Sequence, residues 1–156
     1  MLLDYRDRES FSHAVRNQFN RESQIGRDMS DDYQNLMALA RGFTESFNVE
    51  DVDSMMSYFD QNDCVYEDPT GGIHRGEAAV RAALEPNFTR VWGKVRYDPE
   101  GLVVDPHNDT AVAWWTLVMS RGEKSKTLRG TDILRFRNGK LVAKLCYVKA
   151  KQTLVV

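Results

Sequence analysis

The chain has 156 residues, 42% hydrophobic and 28% charged, with a formal net charge of -2. That length supports one domain with a real core, and the near-neutral charge gives no electrostatic basis for binding nucleic acid or an anionic membrane. No long uncharged apolar run marks a membrane span, and the first residues lack the apolar core of a signal peptide, so a cytoplasmic protein is expected.

Residues 1–30 read as a charge-rich N-terminal extension. Phe11, Val15 and Phe19 recur at helical spacing, which fits either a short amphipathic helix over 9–20 or a loose tail. Residues 31–156 read as one folded domain. Ser30, Asp31 and Asp32 start a helix, and Leu36, Leu39, Phe43 and Phe47 mark its apolar face. After a break at Asn48, the spacing of Val52, Met55, Met56 and Phe59 predicts a second, short helix. Residues 64–67 predict a strand that runs into Asp68-Pro69, and Gly71-Gly72 turns the chain. A third helix starts near Gly76, uses Ala78, Ala79, Val80, Ala83 and Leu84, and ends or kinks at Pro86.

Four strands follow. The first, 95–104, is interrupted around Asp98-Pro99-Glu100-Gly101. The others are 110–120, 126–136 and 141–149, the last two joined by the tight-hairpin signal Asn138-Gly139. Helices first and an antiparallel meander afterwards give an α+β fold. Three helices pack on one face of a strongly curved, mostly antiparallel sheet.

Asp68 and Asp132 stand among apolar strand residues, where a carboxylate is expensive to bury unless protonated, paired or hydrogen-bonded. Strand alternation groups Asp132 with Leu128, Gly130 and Leu134 on one face, and Lys144 with Cys146 and Val148. Asp132 is then either a neutral pocket acid or a carboxylate paired with Lys144, which would remove its donor role. Asp68 is either a general base or a turn carboxylate accepting N–H groups around Gly71-Gly72. Trp114 and Trp115 face opposite ways. Trp114 is assigned to the pocket, and the other indole to an outer sheet face of the kind that pairs subunits. His74 is either a proton shuttle or a surface loop residue. Cys64 and Cys146 read as packed thiols. No metal-ligand spacing, phosphate loop or nucleophilic triad is visible, so no metal and no cofactor is implied.

Several marks carry a resemblance. They are the helix pair followed by Tyr58-Phe59, the Glu67-Asp68-Pro69 strand end, and Arg75-Gly76-Glu77-Ala78-Ala79-Val80 opening the third helix. Asp132-Ile133-Leu134-Arg135-Phe136 before Asn138-Gly139-Lys140-Leu141 adds another. Over roughly residues 31–150 the chain resembles the nuclear-transport-factor-2-like superfamily, which includes SnoaL-like proteins and has a cystatin-like cone fold. Its acidic motifs are most similar to those of ketosteroid isomerases. The resemblance implies that Asp68, before Pro69, is a general base and that Asp132 is a neutral donor to an oxyanion.

The chain departs from those isomerases on the first helix, where their phenol donor is replaced by Phe43 or Thr44. Losing one such donor costs on the order of 10²–10³ in rate. Tyr66, Tyr97 and Tyr147 are candidate substitutes. The Arg–Asp pair of limonene-epoxide hydrolases has no match at Ala113-Trp114-Trp115-Thr116, whereas SnoaL-type polyketide cyclases keep an acid at the place of Asp132.

The implied ligand is a small apolar carbonyl compound. Phe43, Tyr66, Trp114 and Leu128 are expected to line its pocket, together with Gly130, Leu134, Cys146 and Val148. The implied activity is cofactor-independent isomerisation or cyclisation by proton transfer alpha to the carbonyl. The alternative is a non-catalytic binding or dimerising module. A homodimer through the outer sheet face is expected, without nucleic acid or membrane partners.

Overall fold

The computed structural model describes residues 30–149; the helix expected over 9–20 lies outside them. Helix α1 covers residues 30–46, α2 Val52–Met56 and α3 Glu77–Leu84. The strands are β1 Val65–Glu67, β2 Ile73–Arg75, β3 Lys94–Asp105, β4 Thr110–Arg121, β5 Lys124–Arg137 and β6 Lys140–Val148. They form one open sheet in the order β2-β1-β6-β5-β4-β3. Every neighbouring pair is antiparallel except β1 with β6. Among the described residues no helix is long and apolar enough to cross a membrane.

Local chemistry accounts for the helix ends. Asp51 caps α2 by accepting a hydrogen bond from the Asp53 amide at 2.9 Å, which satisfies one orphan donor of the first turn. Pro86 cannot continue α3, and the chain tightens into a 3-10 turn at Glu85–Asn87. The apolar face of α1 closes the concave side of the sheet. At its centre, Phe43 makes edge-on contacts with Phe47, Tyr58 and Phe59 at centroid distances of 5.4, 5.9 and 5.5 Å. Burial of such a ring contributes about 2–3 kcal/mol.

Three expectations are corrected by the structure. β3 is continuous, and Pro99 and Gly101 mark a register shift within it rather than a break, because a bulge absorbs the residue that cannot join the ladder. Residues 73–75, read as turn, form β2 and pair Tyr66 with His74. Trp114 faces outward and is 37% exposed, whereas Trp115 faces the helices and is 2% exposed. The reason is register. Ala113 pairs with Asp132 and Trp115 with Gly130, so the odd positions of β4 share the concave face.

Candidate active site

A cavity of about 420 Å³ opens on the concave face. Tyr66 and His74 wall one side, Ala83 and Asn87 the helical side, and Trp115 and Leu128 the sheet floor. Its surface is mainly apolar with a few convergent polar groups, the usual form of a small-molecule site.

The first polar group is built by the β1–β2 hairpin. Asp68 Oδ1 accepts hydrogen bonds from the Thr70 amide at 2.8 Å, the Thr70 hydroxyl at 2.7 Å and the Gly72 amide at 3.0 Å. Its other oxygen, Oδ2, lies 2.9 Å from His74 Nε2. The imidazole, then the Thr70 hydroxyl and the hairpin amides, hold the Asp68 carboxyl well below the usual carboxylate range. An ionised carboxylate only accepts, so His74 Nε2 donates to it. The Tyr66 ring stacks on the imidazole at 5.6 Å. A Cβ at position 72 would collide with the Asp68 carboxylate, so the close approach of the hairpin to its own acid requires glycine there.

The low Asp68 pKa has a consequence for stability. A carboxyl whose folded pKa lies below its unfolded value of about 3.9 stabilises the fold above that pH and loses the contribution as pH falls. The melting temperature of Asp68→Asn should therefore lie below that of the parent chain at pH 6, and the gap should narrow towards pH 2. A gap that is constant across this range would contradict the assignment.

Two phenols supply further polar groups. Tyr66 and Tyr97 both line the cavity. Burial pushes both hydroxyls well above the ordinary tyrosine value, so they stay protonated as donors. Among the described residues Tyr97 has no side-chain hydrogen-bond partner, and no buried side-chain polar atom is left unsatisfied. Its ring packs on Phe47 and Trp115 at centroid distances of 4.7 and 5.1 Å, where the core meets the cavity. Cys146 also lines the cavity, and burial pushes its thiol up to about 12, so it is a packed, protonated wall residue rather than a nucleophile.

Asp132 lies behind this wall. Lys144 Nζ donates to its Oδ1 at 2.6 Å and Trp115 Nε1 to its Oδ2 at 3.0 Å. Both side chains of the ion pair are nearly inaccessible, at 3% for Lys144 and 6% for Asp132. The ammonium also sits 5.0 Å from the Tyr66 ring centroid and 5.9 Å from that of Phe47, which adds cation–π attraction. Of the two readings open in the sequence, this is the paired carboxylate. Both oxygens are occupied as acceptors, and Trp115 and Cys146, which line the cavity, stand between the carboxylate and the open space.

The predicted residues thus divide. Tyr66, Asp68, Leu128, Cys146 and Val148 meet at the cavity. Phe43 and Leu134 are fully buried and belong to the closed core. Trp114 lies on the opposite face. Gly130 does leave space beside Asp132, but the Trp115 ring fills it. A Cβ at Gly130 would collide with that ring and stand 2.8 Å from the Tyr147 carbonyl oxygen. Tyr147 is half exposed on the outer face. Sequence reasoning named His74 without its partnership to Asp68. The signal was the symmetry of Tyr66-Glu67 and Ile73-His74 about Thr70, just before Gly71-Gly72. Among the described residues no group of three or more His, Cys, Asp or Glu side chains is arranged to hold a metal ion.

The fold and this concave site define a class of protein. The SnoaL-like domain family matches residues 40–144, and the chain belongs to it. Solved structures with the same fold include an NTF2-like protein of unknown function from Mesorhizobium loti. It shares 24% identity at a TM-score of 0.64, with 76% of this chain and 93% of that chain covered. The epoxide hydrolase/cyclase-like enzyme SalBIII, of pyran ring formation in the polyether salinomycin, shares 20% identity at a TM-score of 0.65, with 74% and 92% covered. A Kribbella flavida protein described as a candidate ketosteroid isomerase shares 18% identity at 0.65, with 80% and 85% covered. No curated protein is significantly similar in sequence.

Proposed function

We propose that the chain binds a small, largely apolar carbonyl compound in the concave cavity and moves a proton alpha to the carbonyl without a cofactor. The observation that carries this reading is the convergence of the Asp68–His74 pair and two protonated phenols on one apolar cavity. Asp68, held far below neutrality, is a weak base. The proton-abstracting role passes to His74 Nδ1, and Asp68 fixes the tautomer and stabilises the imidazolium that forms. Negative charge grows on the carbonyl oxygen as the proton leaves. Tyr97, with Tyr66 beside it, donates to that oxygen and replaces the phenol missing from the first helix.

The test is hydrogen–deuterium exchange at the alpha carbon of 2-tetralone in D₂O, followed by NMR. The protein should accelerate exchange over buffer. His74→Gln and Asp68→Asn should lose most of the acceleration, and Tyr97→Phe about 10²-fold or more of it. Exchange no faster than in buffer would overturn the enzyme reading.

A second reading concerns assembly. Register aligns Tyr147, Thr131 and Trp114 across the outer sheet face, beside Ile133, Val112 and Val103. Trp114, Val103 and Tyr147 are exposed, and exposed aromatics in such a patch favour a subunit contact. On this reading the chain is a homodimer through that face. Sedimentation equilibrium should give a dimer for the parent chain and a monomer for Trp114→Glu. A monomeric parent chain would dismiss it.

A further inference from the structure

The β4–β5 ribbon carries a polarity gradient along its concave face. Ala113 pairs with Asp132, Trp115 with Gly130, Leu117 with Leu128, Met119 with Lys126, and Arg121 with Lys124. Alternation puts all five pairs on one face. The face therefore passes from a buried ion pair, through the apolar cavity floor, to a cationic lip. Burial falls in step, from Trp115 and Leu117, which are buried, to Arg121, Lys124 and Lys126, which are exposed.

The lip is itself concave. Val91, Trp92, Met119, Arg121, Lys124 and Lys126 surround a second cavity of about 400 Å³. Trp92 and Met119 line both cavities, so the two are contiguous. Arg121 Nη2 donates to the Val91 carbonyl oxygen at 2.6 Å, which anchors one cation against the opposite wall. Among the described residues no acidic side chain lines this cavity; Glu123, at the hairpin tip, is outside it. Among the described residues none of the ion pairs involves Arg121, Lys124 or Lys126. Three cations at the edge of an apolar cavity, without a carboxylate partner among the described residues, contrast with a chain whose net charge is -2.

We infer that the ligand of this site is an amphipathic carboxylate. Its apolar, oxygen-bearing body lies between Tyr97 and Leu128, and its anionic end reaches Lys124, Lys126 and Arg121. The inference rests on the reading of the larger cavity as the ligand site and adds the substrate class. Leu128 and Lys124 are four positions apart on an extended strand, about 13 Å at roughly 3.3 Å per residue. A carboxylate one medium-length alkyl chain away from the cavity-bound group spans that distance. A neutral ligand leaves the lip unused.

The test is binding of 6-(4-hydroxyphenyl)hexanoate, its methyl ester and para-hexylphenol at low ionic strength. Trp92 and Trp115 fluorescence reports the complex. The carboxylate should bind roughly threefold to tenfold tighter than the ester, the range that a few exposed charge contacts supply. The preference should vanish at high salt and in Lys124→Gln/Lys126→Gln, with the affinity of the ester unchanged. Equal affinity of acid and ester in the parent chain would overturn the inference and leave the cavity reading standing. A preference that survives in the double variant would overturn the placement of the anionic end. Binding of none of the three compounds would overturn both.

Discussion

Replacing Lys144 with Met is expected to cost about 3–5 kcal/mol of stability, the penalty for stranding one member of a buried ion pair. The residual partner of Asp132 would be the Trp115 N–H, which cannot offset a carboxylate removed from water. The double variant Lys144→Met/Asp132→Leu should be closer to the parent chain than the single one, because apolar contacts then replace a desolvated pair. Denaturant unfolding at unchanged m-value measures both. A double variant as unstable as the single one would mean that the pair is itself net stabilising. The double variant also separates stability from the site. With Asp132 gone, Trp115 loses the acceptor that holds its ring over Gly130. Ligand affinity should then fall although Asp132 itself touches no ligand.

Phe43→Ala should cost a similar amount, about 3–5 kcal/mol, through the cavity left among Phe47, Tyr58 and Phe59. Phe43→Tyr is the more informative change. It puts a phenol at one of the two positions, Phe43 or Thr44, to which the resemblance assigns the phenol of ketosteroid isomerases, but the side chain here has no accessible surface. An added hydroxyl would be buried without a partner, at a cost of about 1–3 kcal/mol. Thermal unfolding should therefore show a loss, and alpha-proton exchange should show no gain. Enhanced exchange in Phe43→Tyr would mean that the cavity reaches α1 after all. On the proposed function Tyr97, arriving from β3, is the phenol that serves, because it borders the cavity as well as the core.

Much of this arrangement can be read from one rule, alternation. It aligned Asp132, Gly130 and Leu128 with each other and placed Lys144 on the matching face of the last strand, and the register of β5 with β6 agrees. Alternation has two solutions, however, and adjacent Trp114 and Trp115 offer no contrast by which to choose. Only the pairing of β4 with β5 decides it. Depth is equally invisible locally. Leu134 and Leu128 share a face, but one is at the closed end of the cone and the other at its open end. Strands as short as β2 carry too few residues for a periodic signal, so the Asp68–His74 contact escaped notice although both residues were named. The Trp115 ring beside Gly130 is a contact between strands, and composition along a single strand does not encode it.

The parallel pairing of β1 with β6 has a further consequence, for the order in which the molecule assembles and opens. β1 meets β6 through Val65, Tyr66 and Glu67 opposite Ala143, Lys144 and Leu145, at the far end of the described chain. Among the described residues β2 has no other neighbour in the sheet than β1. The hairpin carrying Asp68 and His74 is thus a small unit hung on β6, which follows the meander in the described chain, and its docking waits for the meander to form. Such a unit opens at a lower free energy than the core beneath it. Amide exchange at Asp68 and Gly72 should therefore report a local equilibrium of the cavity mouth, while the amides of β4 and β5 report global unfolding.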